Sequence, residues 1–152
     1  MQETTTRVPA ALRELARILR ATFDASETTI LVGPPTGRVV QPCAVALAFS
    51  ANGAAVDVSV ERMQGYGHRY TETAAIQCAV SVAGGDQSNI LGLTDVAGSM
   101  HAAITSAVKA DPTLAGAVDA AQVTGAHSWL TGQFDTGPVV DALFTIIVKS
   151  AL

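Results

Sequence analysis

Pro112 stops a helix, and that helix sets the terms for the rest of the chain. Across residues 94–110, Val96, Met100, Ala103, Ile104, Ala107 and Val108 recur at spacings of three and four, which puts them on one helical stripe. Thr94 is placed to cap this helix. Asp95 then falls in its first turn and Lys109 in its last, each on the side the helix dipole favours. Pro112 has no backbone donor and pushes Asp111 away from helical geometry, so the helix is expected to end near Ala110. The next string, Asp111-Pro112-Thr113-Leu114-Ala115-Gly116, is a turn with one large apolar residue. Leu114 is expected to pin the helix end onto a core.

An earlier helix begins at Val8. Pro9 suits a first helical turn, and Leu12, Leu15, Ala16, Leu19 and Phe23 mark its buried stripe. Residues 1–7 are polar, rich in threonine and expected to be loose. The opposite side of the helix carries Arg13, Arg17 and Arg20, with only Glu14 and Asp24 nearby to relieve their repulsion. That row is either a solvated face or a salt-bridging subunit contact.

The remaining segments alternate as strands do. Residues 28–32 form a short β-branched run ending at Gly33-Pro34-Pro35-Thr36-Gly37. This loop lacks the Gly-Lys-Ser or Gly-Lys-Thr ending of a phosphate cradle, and its prolines remove amide donors, so it is a turn. Cys43, Val45, Leu47 and Phe49 alternate with Ala44, Ala46 and Ala48, the pattern of a strand covered on both sides. Asn52-Gly53 is a hairpin signal between this run and the next, where Val56, Val58 and Val60 should face a core and Asp57, Ser59 and Glu61 water. A loop holding Gly65-Tyr66-Gly67-His68 forms the tip of a second, longer hairpin. Its far arm alternates from Tyr70 to Val82 and closes at Gly84-Gly85-Asp86. After Gly116 two more strands are expected, one with Val123, His127 and Trp129, the other with Val140, Ala142, Phe144, Ile146 and Val148 on one face. Residues 131–138 read as a polar, exposed linker between them. The order of elements gives an α+β fold: a mainly antiparallel or mixed sheet with two amphipathic helices packed against it.

At 152 residues the chain makes a single domain that buries enough surface to need neither disulfide nor metal. Hydrophobic residues make up 49% but aromatics only 5%, so the core is built from small side chains that permit close packing. A net charge of -4 with no basic cluster argues against a grip on nucleic acid. No apolar run has the form of a signal peptide or the length of a membrane span, which predicts a soluble chain made in the cytosol. Cys43 and Cys78 are too few and too far apart for a zinc knuckle or a redox pair, and both are expected to be buried free thiols.

No local motif announces catalysis. His68, His101 and His127 are not at ligand spacing with each other or with the cysteines, so neither a metal nor any other cofactor is expected. Ser99 sits mid-helix in Gly98-Ser99-Met100-His101, whereas an activated serine occupies a strand-to-helix elbow. His101 reads as a helix-flank residue. The expectation is a protein without enzymatic activity.

In its order of elements the chain resembles the tail terminator proteins of long-tailed phages, particularly those of actinobacteria. The likeness rests on the opening helix, the Gly33-Pro34-Pro35 loop, the strand from Glu72 to Val82 closing at Gly84-Gly85-Asp86, the helix running into Asp111-Pro112-Thr113-Leu114-Ala115-Gly116, and the final strand from Val139. The resemblance implies a ring, typically hexameric, that caps the finished tail tube, stops subunit addition and offers the head-joining face. Its partners would be other copies of itself, the tube protein and a head–tail connector or neck protein, with DNA passing through the lumen without specific binding. It would act in the virion, at the head-proximal end of the tail, after assembly in the host cytoplasm. The partner-facing candidates are Arg13, Arg17 and Arg20, the loop with Tyr66 and His68, and the 131–138 segment with Gln133 and Asp135. The alternatives are another connector or neck protein and a small-molecule-binding module.

Overall fold

The computed structural model describes residues 6–33, 42–50, 53–62, 70–84, 89–125, 128–134 and 137–152. Among them are two helices, α1 (Val8–Thr22) and α2 (Ile90–Ala110). Seven strands form one mixed sheet: β1 (Thr28–Val32), β2 (Cys43–Leu47), β3 (Val56–Arg62), β4 (Tyr70–Ala83), β5 (Ala120–Val123), β6 (Ser128–Phe134) and β7 (Gly137–Ala151). The fold is α+β, with both helices packed on the sheet.

Two long antiparallel strands make the spine. β4 and β7 pair from Thr71↔Ala151 to Ala83↔Val139. Each is longer than any neighbour, so each outer edge is shared by two short strands lying end to end. β2 pairs with β4 from Cys78 to Val82, and β3 pairs with the same edge from Tyr70 to Ile76. β5 and β6 divide the edge of β7 in the same way. β1 runs parallel to β2 and widens one end of the sheet.

This topology corrects the hairpin expected at Asn52-Gly53. β2 and β3 are both antiparallel to β4, so they run in the same direction and cannot be joined by a two-residue reversal. Instead, the two strands follow one another along β4 at Gln77: Phe49 N–H donates to the Gln77 carbonyl at 2.9 Å and Gln77 N–H to that of Ala55 at 2.9 Å. Gly53 precedes β3, and Asn52 lies outside the described residues. The segment after Gly116 also differs. It holds three strands rather than two, and 131–134 with 137–138 are the arms of the β6–β7 hairpin, not a linker.

The helices cover one face of the sheet. Ile76, Cys78 and Val80 of β4 and Ala142, Phe144 and Ile146 of β7 point into that layer and are essentially fully buried. Against them pack Leu15 and Leu19 of α1 and Ala97, Met100, Ile104 and Val108 of α2. Val96 leaves the expected stripe. It is 43% exposed and edges a depression with Phe23, Asp95, Ser99 and Met100 where the two helices meet.

α2 starts a turn earlier than expected. Asn89 is its N-cap, accepting from the Leu91 N–H at 3.0 Å, while the Thr94 hydroxyl donates back to the Ile90 carbonyl at 2.8 Å. Asp95 therefore lies beyond the first turn. The far end agrees with the sequence: Lys109 is in the last turn and the helix stops at Ala110. Leu114 is completely buried. Reaching the core requires left-handed backbone at Leu114 (φ 49°), Ala115 (φ 56°) and Gly116 (φ 84°), and the Asp111 carboxylate holds the Ala115 N–H at 3.0–3.1 Å.

At the start of α1, the buried Glu72 of β4 accepts the Arg7 N–H at 2.9 Å and the Thr6 hydroxyl accepts that of Val8 at 3.3 Å. Pro9 has no N–H to satisfy. A carboxylate from a distant strand thus does the work of a capping box, with its charge at the positive end of the helix dipole.

Candidate functional site

The uncovered face of the sheet carries the most distinctive surface. In β2, β4 and β7, residues of the opposite parity to the core set point away from the helices, and many of them are small. Ala44, Ala46, Ala79 and Ala83 form a floor, and Leu31, Phe49, Leu130 and Leu143 stand around it. The result is an apolar groove of about 420 Å³. The alternation of alanines with large residues in β2 is present as expected, but no second layer of described residues roofs the alanine face. Among the described residues it lines this groove, with Ala46 and Ala79 buried in its floor.

Two polar side chains enter the groove, Ser81 and Asp141. Asp141 lies on β7 between Ser81 of β4 and Leu130 of β6 in the pairing register, and along its own strand it is flanked by Val139 and Leu143. Its Oδ1 is buried and has no hydrogen-bond partner among the described residues. An oxygen in that position has lost its water without gaining a donor.

The sequence candidates fall elsewhere. Arg13, Arg17 and Arg20 are exposed on α1, as the periodicity implied. Arg17 Nε pairs with Glu14 Oε2 at 2.7 Å, the one ion pair among the described residues. Gln133 belongs to β6, where its backbone pairs with Pro138; its side chain, and all of Tyr66, His68 and Asp135, lie outside the described residues, as do His127 and the 34–41 and 85–88 loops. The groove went unrecognised in the sequence because its signal, Asp141 in a strand whose other face is apolar from Val140 to Val148, is only a single residue.

Exposed apolar residues collect at the margins of the sheet. Val58 and Val60 of β3 are 49% and 52% exposed, contrary to the expected core face: their β4 partners Ala74 and Glu72 are buried, but the helical layer does not reach out to the edge strand β3. Trp129 and Leu130 are similarly exposed on β6, and Leu91 is 74% exposed at the start of α2.

Among the described residues no three of His, Cys, Asp and Glu are grouped as a metal site would be. His101 is more than a flank residue: its Nε2 donates to the Thr124 carbonyl at 2.9 Å, and its ring meets Phe144 edge-on at 5.0 Å, tying α2 to the β5 end of the sheet. Asp24 accepts from the Ser26 N–H at 2.9 Å and hydroxyl at 2.8 Å, which holds its carboxyl below the ordinary range. Burial pushes the Cys78 thiol up to about 12. Cys43 is only half-buried, unlike the expectation for both thiols; its pKa is raised by burial and by the charge of Glu27.

No protein-family model matches this sequence, and no curated protein matches it either. No described helix is long and apolar enough to cross a membrane.

Proposed function

We propose that the chain is a tail terminator of a long-tailed phage, a ring-forming structural protein that caps the tail tube, ends its polymerisation and presents the head-joining surface. The observation that carries this reading is the distribution of its unsatisfied surface. Apolar side chains lie exposed at several separate margins, Val58 and Val60 on one side of the sheet and Trp129 and Leu130 on the other, with an apolar groove on the face between. A protein that contacts neighbours on more than one side has such a surface. The order of elements adds to it: opening helix, paired long strands, and a second helix running into the buried Leu114 turn, as in the family the sequence resembles.

Electron microscopy of phage produced without the protein tests the proposal. Overlong tails are expected. Tails of normal length detached from heads would assign it instead to the neck. The groove favours one other reading, a small-molecule-binding module, since its volume is within the range of ligand pockets. That reading predicts a rise in melting temperature with a small apolar compound.

A further inference from the structure

Among the described residues, the groove holds a carboxylate oxygen without a donor, and Arg13 and Arg20 on the opposite side make no ion pair. Asp141 Oδ1 needs an N–H or O–H from a group able to enter an apolar trough. An arginine suits it, because the methylene stem lies along the alanine floor while the guanidinium reaches the carboxylate. On α1, Arg13 and Arg20 are exposed and make no ion pair among the described residues. They are seven residues apart, about two helical turns, so they share one face with Arg17.

Within one chain these groups do not meet, since α1 packs on the helical side of the sheet and Asp141 faces the other way. We propose that the groove receives the Arg13–Arg20 face of α1 from a second copy of this chain, with an arginine of that copy donating to Asp141. The contact rests on the ring reading above and specifies its interface. Because the two complementary patches lie on opposite sides of the protomer, the contact is head-to-tail, the type that closes into a ring when the rotation between copies permits.

Charge exchange between variants tests this. The mass of the assembled species is measured in dilute solution and again with tail tubes for the wild type, for Asp141→Lys and for Arg13→Glu/Arg20→Glu. The wild type forms a ring, and each variant alone assembles about tenfold or more weakly per contact. An equimolar mixture of the two variants restores the ring, since alternating copies then meet with opposite charges at every contact. Should Asp141→Lys fail to fold, Ala79→Leu fills the groove floor without adding charge and is expected to abolish the ring. Rings from each variant alone overturn the contact and leave the ring reading standing, as does a mixture of folded variants that stays unassembled. A wild type that forms no ring with tubes overturns both. Binding of n-hexylamine in the groove, with ring formation unchanged in Arg13→Glu/Arg20→Glu, would assign the groove to a small amine and overturn the contact.

Discussion

Replacing Leu114 by alanine isolates what the turn after α2 contributes. The side chain is completely buried, and the alanine that replaces it keeps the same left-handed backbone at φ 49°, so conformational strain is nearly unchanged and the loss is one of packing. Three carbon groups leave the core at about 0.8 kcal/mol each. The void they leave adds a further ~1–2 kcal/mol unless Val118 and the end of α2 collapse into it. The expected loss is about 3–4 kcal/mol, read by urea unfolding monitored by circular dichroism, with an unchanged m-value. The neighbouring Ala115→Gly provides the opposite sign. Ala115 is exposed at φ 56°, so glycine relieves ~1–2 kcal/mol of left-handed strain against ~0.5–1 kcal/mol of added chain entropy. That variant is expected to be slightly more stable than wild type. A loss below about 1 kcal/mol in Leu114→Ala would refute the anchoring role.

Asn89→Ala should cost about 1 kcal/mol, while Thr94→Ala should stay within about 0.5 kcal/mol of wild type, because Asn89 and not Thr94 caps α2. Val58→Lys/Val60→Lys should change unfolding free energy by less than about 1 kcal/mol, since both valines are half exposed; a loss of core size would place them under a packed layer. The Cys78 thiol should resist Ellman's reagent in the native protein and react on denaturation. Its folded value of about 12 lies above the ordinary 9.0, so the unfolded state releases this proton first. The stabilisation is complete below pH 9.0 and declines as pH rises toward 12, on the order of 1 kcal/mol per pH unit. Cys78→Ala should lack that component, and identical pH profiles for the two proteins would contradict it.

What the sequence makes legible is whatever short-range pattern decides. The core face of β7, the stripe of α1 and the stop at Ala110 each follow from periodicity or from proline chemistry. The hairpin at Asn52-Gly53 fails because turn propensity is local whereas strand pairing is a competition for partners: β4 is long enough to hold β2 and β3 in succession, so neither needs the other. The valines of β3 fail for a related reason. Alternation tells which residues share a face, but whether a helix reaches over that face depends on where α1 and α2 lie. Thr94 and Asn89 are both good N-caps, and the exposed Leu91 between them does not extend the buried stripe, so periodicity places the start of α2 too late. Glu72 as the cap of α1 comes from sixty-five residues away, a separation no local pattern reveals.

The division of each sheet edge between two short strands also bears on how copies would associate. A long, straight edge invites a neighbouring strand to pair along its whole length, which leads to open-ended aggregation as readily as to a closed ring. Here the edge along β4 is broken between Phe49 and Ala55, and the edge along β7 by Thr124, whose backbone N–H and hydroxyl both turn inward to Thr145. The edge strands β1, β3, β5 and β6 run to only four to seven residues, against fourteen and fifteen for β4 and β7, so none offers a long ladder. The edges are therefore poor templates for indefinite growth, whereas the groove is concave, apolar and marked by a single carboxylate, which would fix the orientation of a copy docked as proposed above. Association through the sheet face fixes the rotation between copies in a way that association through ragged edges does not. A fixed rotation is the requirement for a ring that closes.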